Sequence, residues 1–268
     1  MIRLICIDVD GTIVGTGGAV HDAVWPAVDE ARARGLRLAI CSGRPGFGLA
    51  RDYAARLDPA GWHSFQNGAS VMQLPSGGSR SHALPPALLE SLVARSRARG
   101  LLLELYSDLS YAVEQDSPLA RAHARLLGVP FHARAFDSLD GAVVRAQWIL
   151  EGDQPLPLEP REAAQLDVSP SASPAMPGIT FVSLTPSGID KAWAVRTIAA
   201  QYAIALDEVM YVGDGRNDVT AMRVAGLAIA MANSEPEALA VADRVVGDVD
   251  EGGLADALRL AVDDHGVR

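Results

Sequence analysis

Leu4-Ile5-Cys6-Ile7-Asp8-Val9-Asp10-Gly11-Thr12 is the stretch that decides the fold. Its apolar start, without alternation, predicts a strand covered on both faces of a parallel sheet, since alternation marks strands with one face in water. Asp8 and Asp10 then stand just past the carboxyl end of that strand, where ligands of open α/β sheets bind. Two acids one residue apart can divide labour. An ionised one attacks or binds metal, while the other, kept protonated by its surroundings, donates to a leaving oxygen. Gly11 and Thr12 are expected to turn the chain so that backbone N–H groups face an anion. A calcium loop of the D-x-D-x-D-G type is excluded, because no further acidic ligand follows Asp10 at the required positions. The remaining alternative, a solvated acidic loop, fits poorly behind an apolar strand.

Working outward, a second apolar run over 36–41 predicts another buried strand, and 20–34 reads as a helix with Val24, Val28 and Ala31 on one face, closed by Gly35. Pro26 leaves the first turn of that helix open. The alternation continues with a helix over 48–57 and a strand over 62–65. At the far end the pattern is strand 209–212, helix 218–225, strand 227–231, a helix after Pro236 and strand 244–246. Both ends therefore predict a Rossmann-like, doubly wound α/β core. The middle differs: helices over 88–99 and 120–127 accompany strands over 101–106, 111–114, 143–150 and 179–184. These predict an inserted α/β domain over 83–185, with the core made from 1–82 and 186–268. At about 150 residues per domain, a chain of 268 residues suits two. Pro155, Pro157, Pro160, Pro170, Pro174 and Pro177 argue against a long regular element between them. The Gly/Ser stretch 76–79 reads as a hinge or turn leading into the insertion.

Three further elements carry chemistry. Val212-Gly213-Asp214-Gly215-Arg216-Asn217-Asp218 follows another apolar strand, and if that strand neighbours the first, Asp214 meets Asp8 and Asp10 in an all-oxygen site suited to magnesium. A glycine-rich turn capping the helix from Asp218 is the plainer alternative. Ser42-Gly43-Arg44 ends the second strand and brings a hydroxyl and N–H groups to the same sheet edge. Lys191, in Gly188-Ile189-Asp190-Lys191, begins a predicted helix and is the only lysine among 23 basic residues. A compact ammonium kept where every other cation is arginine suits a point charge for phosphate.

The formal charge of −10 and the lack of a Lys/Arg run exclude nucleic acid as the expected partner. An anionic substrate then needs a locally positive pocket built from a cation, a few basic side chains and backbone N–H groups. No apolar run approaches the length of a membrane span, and the acidic residues near the start do not suit a signal peptide, so a cytoplasmic protein is expected. Cys6 and Cys41 lie in apolar runs and read as buried thiols in a reducing compartment. A Cys-x5-Arg phosphatase loop at Cys41 is excluded because Phe47 stands at the arginine position. G-x-S-x-G, Walker A and H-E-x-x-H patterns are absent from the sequence.

DVDGT, the Ser of CSGR, the Lys of GIDK and GDGRND, in that order, resemble the four motifs of the haloacid dehalogenase superfamily of phosphatases. The wide gap between the second and third, from Ser42 to Lys191, resembles the Cof-type branch, in which a large α/β cap is inserted there. Asn67-Gly68-Ala69 and Ala230-Met231-Ala232-Asn233 also look like Cof-type segments. The resemblance implies that Asp8 is the nucleophile and Asp10 the acid that protonates the leaving alkoxide and later deprotonates water. It implies that Asp8, the backbone carbonyl of Asp10 and Asp214 hold magnesium, and that Ser42 and Lys191 bind the phosphoryl oxygens. Gly11, Thr12 and Gly43 would contact phosphate, Asn217 would contact phosphate or metal, and Asp218 would position Lys191 or a metal-bound water. Asp190 stands where serine is usual, and Ala232 where glycine is. The activity implied is hydrolysis of phosphate monoesters of small phosphorylated metabolites, sugar phosphates by default. A phosphomutase and a phosphometabolite-binding module of the same fold are the alternatives. Glu104, Tyr106, Tyr111 and Trp148 are the cap residues nominated for substrate selection.

Overall fold

Leu4–Ile7 has a parallel neighbour on each side, which is why it is apolar throughout. It pairs with Val209–Gly213, with Leu4 opposite Val209 and Ile7 opposite Val212, and with Arg37–Ile40 on the other side. Leu227–Ala230 and Arg244–Val245 extend the sheet beyond Val209–Gly213, and every pairing in it is parallel. From the first strand the chain goes one way to Arg37–Ile40 and only later the other way, so the strand order reverses between Leu4–Ile7 and Val209–Gly213. The crevice at such a reversal is where open α/β sheets take their ligands. The computed structural model describes residues 1–75, 77–152, 154–172 and 176–266. Among them no helix is long and apolar enough to cross a membrane.

Alternate residues of these strands face opposite sides. Leu4, Cys6, Val209, Tyr211, Ala228 and Ala230 pack with Ala194, Val195, Ile198 and Ala199 of the helix Lys191–Gln201. Across the sheet the helices Val24–Ala33 and Gly253–Gly266 pack together. Val24, Ala27, Val28 and Ala31 give the first of these its buried stripe. This helix starts at Val24 rather than at residue 20, and Pro26 is accommodated because first-turn N–H groups lack intrahelical acceptors. The C-terminal helix did not stand out in the sequence.

Trp62–Phe65 departs from expectation. It is the first strand of an antiparallel sheet with Ser70–Gln73 and Gly78–Ser79, linked to Cys41 by one bridge through Ser64. The cause is local: Gln66 and Asn67 have positive φ, so the chain doubles back at once instead of entering a crossover helix. Ser76, named in the expected hinge, lies outside the described residues.

The chain divides into two compact units, one of Met1–Gly43, Asp52–Arg80 and Asp190–Arg268, the other of Arg44–Arg51 and Ser81–Ile189. Arg44–Arg51 thus belongs with the second unit, although its place in the sequence assigned it to the core. The second unit holds an antiparallel sheet in the order Tyr111–Val113, Leu102–Tyr106, Arg145–Glu151, Ile179–Pro186, Leu166–Ala172. Leu103, Leu105, Trp148, Val182 and Leu184 face Leu88 and Leu92 of the helix Pro86–Arg99. The helix Pro118–Leu127 covers the opposite face beside Leu102, Ile149 and Phe181. Within the proline-rich stretch, where a long regular element was not expected, Leu166–Ala172 forms a strand of 7 residues. Pro170 is tolerated opposite Val182 because this strand lies at the sheet edge, where a missing N–H disturbs the ladder least. Pro174 lies outside the described residues.

Three of the nominated selectivity residues, Trp148, Glu104 and Tyr106, are fully buried and structural. Trp148 is fully buried in the apolar cluster and its indole N–H donates to Ser96 Oγ at 2.7 Å. Glu104 is fully buried and accepts from the Tyr106 hydroxyl, with His123 Nδ1 at 2.8 Å from one of its oxygens.

Candidate active site

The site assembles where the strand order reverses. The amide of Asp8 donates to the Val212 carbonyl at 2.9 Å, which sets the end of the first strand beside the loop that carries Asp214. Lys191 arrives from the opposite direction. It opens its helix after Asp190, whose side chain accepts from the Trp193 amide at 2.8 Å as an N-cap. Asp190 thus performs the capping that a serine would. Lys191 shares a helical face with Ala194, Val195 and Ile198, so the packing that buries those residues carries the ammonium inward.

The Lys191 Nζ donates to Asp8 Oδ1 at 2.7 Å and to Asp218 Oδ1 at 2.6 Å, with the lysine and Asp218 side chains fully buried. Tyr211 donates its hydroxyl to the same Asp218 oxygen at 2.5 Å, and the amides of Asp214 and Gly215 donate to Asp218 Oδ2 at 3.0 and 2.9 Å. Asp218 is therefore occupied on both oxygens. Asp214 is less enclosed and accepts from the Thr12 hydroxyl at 3.1 Å. Gly11, at φ 81°, lies so near Asp214 that a Cβ there would fall 2.1 Å from a carboxylate oxygen, so only glycine fits.

One expectation for this turn is corrected. The amide of Gly11 donates to the Val14 carbonyl and that of Thr12 to the Val9 carbonyl, so the turn uses these groups internally rather than presenting them to an anion. Asp10 is exposed, whereas Asp8 and Ser42 are buried. Ser42 follows Cys41, whose amide donates to the Ile7 carbonyl, which puts Ser42 at the level of Asp8 on the neighbouring strand.

Asn67-Gly68 had no assigned role, and the fold gives it one. The Asn67 amide donates to the Ser42 carbonyl, its side-chain oxygen accepts from Asn217 Nδ2 at 3.1 Å, and Gly68 passes so close to the Asp190 carbonyl that a Cβ would lie 2.2 Å from it. The segment therefore ties together the stretches bearing Ser42, Asn217 and Lys191. Gly43 and Asn217 meet through Asn67, which lies 3.1 Å from where a Cβ on Gly43 would stand. Tyr211 was also missed. Its place in an apolar strand reads as core, and only the burial of Asp218 beside it makes its hydroxyl matter.

Burial raises the pKa of Asp8 well above the carboxylate range; Lys191 opposes the shift, and Asp218, Asp214 and Asp10 reinforce it. Asp214 is pushed up to about 6 by burial and by Asp218. Burial disfavours the Lys191 ammonium, but Asp218 and Asp8 outweigh it and its pKa moves upward. Among the described residues, Asp8, Asp214 and Asp218 bring carboxylate oxygens within 4.8 Å of one another. Three acids around one ammonium leave the pocket short of positive charge, and an all-oxygen donor set matches a hard divalent cation. Asp218, with both oxygens engaged, is the poorest ligand of the three.

Comparison with known proteins agrees with this geometry. The profile of the haloacid dehalogenase-like hydrolases matches residues 5–258, and the chain belongs to that family, in its Cof-type branch. The chain is accordingly a hydrolase of the phosphatase kind. The Bacillus subtilis protein YxeH is 28% identical over 275 residues, covering 98% of this chain and 99% of that one. The 5-amino-6-(5-phospho-D-ribitylamino)uracil phosphatase YcsE of the same organism is 23% identical, over 96% of this chain and 95% of its own. A haloacid dehalogenase-like hydrolase from Bacteroides thetaiotaomicron superposes with a TM-score of 0.85 at 23% identity, covering 97% of this chain and 99% of that one.

Proposed function

We propose that this chain hydrolyses phosphate monoesters of small metabolites, sugar phosphates or similar, with Mg²⁺ and through an aspartyl-phosphate on Asp8. The observation that carries this is the Lys191 ammonium shared between Asp8 and Asp218 inside a pocket of excess negative charge. A carboxylate nucleophile meets a phosphoryl group only if their repulsion is offset, and the buried ammonium does part of that. Asp8 and Asp214, with the Asp10 carbonyl, would hold the cation, which when bound supplies charge neutralisation at the phosphoryl oxygens.

Asp8 Oδ attacks phosphorus, the bond to the leaving alkoxide breaks, and the exposed Asp10 gives that oxygen its proton. Asp10 then takes a proton from water as the water oxygen attacks the phosphoryl group, which releases phosphate and restores Asp8. Ser42 and Lys191 hold the phosphoryl oxygens, Asn217 and Gly43 border them, and Asp218 keeps Lys191 aimed at Asp8. Gly11 and Thr12 act by shaping the turn beside Asp214. The inserted unit selects the leaving group. The free, buried thiols of Cys6 and Cys41 support a reducing, cytoplasmic setting.

Phosphate release from a panel of phosphorylated metabolites, with Mg²⁺ and with EDTA, tests this beside Asp8→Asn. Release that the chelator abolishes, and a fall of more than about 10³-fold in the variant, are expected. Full activity in either control would overturn the mechanism, and transfer of phosphate to a second substrate oxygen instead of water would make the enzyme a phosphomutase.

A further inference from the structure

The loop after Asp8 is held at both ends by one distant turn. Asp250 accepts from the Thr16 amide at 3.1 Å with one oxygen and from the Thr16 hydroxyl at 2.6 Å with the other. Gly15 passes so close that a Cβ there would lie 1.9 Å from the Asp250 carboxylate. At the other end, Asn233 Nδ2 donates to the Gly11 carbonyl at 2.8 Å, while its Oδ1 accepts from the Val249 amide at 2.9 Å. The turn that presents Val249 and Asp250 is itself fixed: Asp248 caps it by accepting from the Asp250 amide at 2.9 Å, and the Gly253 amide returns to the Asp248 carbonyl.

Thr12 to Gly15 lie between these anchors, and Asp10 stands one residue before the first of them. Inside the loop, the amides of Thr12, Ile13 and Val14 all converge on the Val9 carbonyl, so its own bonds fix its curl but not its placement over Asp214. Placement comes from the Thr12 hydroxyl, which donates to Asp214 at 3.1 Å, together with the two outside anchors. Thr16 and Asp250 are both exposed, and a solvent-facing pair of this kind contributes little to global stability. A bidentate grip that the fold does not need for stability, at the end of the loop bearing the acid, calls for another purpose.

We infer that Asp250 and Asn233 are positioning residues that fix the Gly11–Thr16 loop, and with it Asp10, over the reacting phosphoryl group. This rests on the phosphatase function proposed above. Displacement of an acid by about 1 Å can cost up to 10²-fold in rate while leaving substrate binding nearly intact.

The test uses the full chain with p-nitrophenyl phosphate and Mg²⁺. Asp250→Ala is expected to lower kcat about tenfold with KM changed less than about twofold, and to speed amide hydrogen exchange over 10–16. Its Tm should stay within about 2 °C of the parent. Asp250→Asn, which keeps an acceptor for the Thr16 amide, should recover most of the rate, and Thr16→Val, which loses the hydroxyl bond and keeps the amide bond, should fall between the parent and Asp250→Ala. Asn233→Ala should show the same kcat loss from the other anchor. Unchanged kcat in Asp250→Ala, or a kcat loss matched by a large fall in Tm, would overturn the inference. A parent protein without phosphate release would instead remove the function it rests on.

Discussion

Among the described residues two carboxylates are fully buried, Asp218 in the parallel core and Glu104 in the inserted unit, and their surroundings differ in kind. Asp218 is met by an ammonium, a tyrosine hydroxyl and two backbone amides, and the ammonium it holds is shared with Asp8. Glu104 is met by the Tyr106 hydroxyl and the His123 ring, with Gln147 and Ser183 continuing the chain of contacts across neighbouring strands. The first arrangement concentrates charge at a point open to Asp8. The second spreads one buried acid over a polar row and holds three strands and a helix in register. At the candidate site the buried acid thus holds a cation that Asp8 also claims, whereas Glu104 is satisfied by polar groups that tie the sheet to its helix.

The comparison breaks most visibly at Lys191. Lys191→Met leaves Asp8 and Asp218 buried together without their cation. A loss of about 3–5 kcal/mol in stability and of phosphate release by more than about 10³-fold is expected, read by denaturant unfolding and product assay. Glu104→Ala should cost about 2–3 kcal/mol in the same unfolding experiment, because the Tyr106 hydroxyl and His123 lose their partner, while turnover falls far less than in Lys191→Met. Equal losses of activity would erase the distinction.

A third acid sharpens it by pH. Glu162 accepts from Arg95 and from the Ser91 hydroxyl at 2.7 Å, and Arg95 above all holds its pKa down to about 2. A lowered carboxyl pKa stabilises the fold above the unfolded value near 4.5 and loses that contribution as pH falls toward 2. Through Glu162 the parent protein should therefore lose about 3 kcal/mol across this window, and Glu162→Gln should lose less there, as followed by acid unfolding. Tyr211→Phe removes one of four donors to Asp218, and about 1 kcal/mol in stability with up to about a fivefold fall in kcat is expected. At the small end, Arg56→Ala breaks an exposed pair with Asp29 and should leave Tm and turnover where they were.

How much of this was legible depends on whether a residue's role is local. The strands of the parallel sheet could be read because burial on both faces leaves an unbroken apolar run. The carboxylates after the first strand and the lysine at the start of a helix were recognisable by chain position. The antiparallel pairing of Trp62–Phe65 hinges on positive φ at Gln66, Asn67 and Gly68, and its one local signal is the turn dipeptide Asn67-Gly68, which does not by itself say which strands will pair. Trp148 was misjudged because an aromatic strand residue has two possible faces, and only the packing of the helix Pro86–Arg99 against one of them settles which.

From its sequence alone this protein was bound to place Asp8, Asp10 and Asp214 at the ends of apolar strands and Lys191 at a helix start, because hydrophobic pattern and capping act over a few residues. Only the folded chain decided that Asp218 would be saturated by four donors, that Asn67 would join three motifs, and that the amides of Gly11 and Thr12 would turn inward. The first two outcomes depend on groups 27 and 150 residues apart, Lys191 with Asp218 and Asn217 with Asn67, reaching hydrogen-bond distance, and no local preference encodes such a meeting.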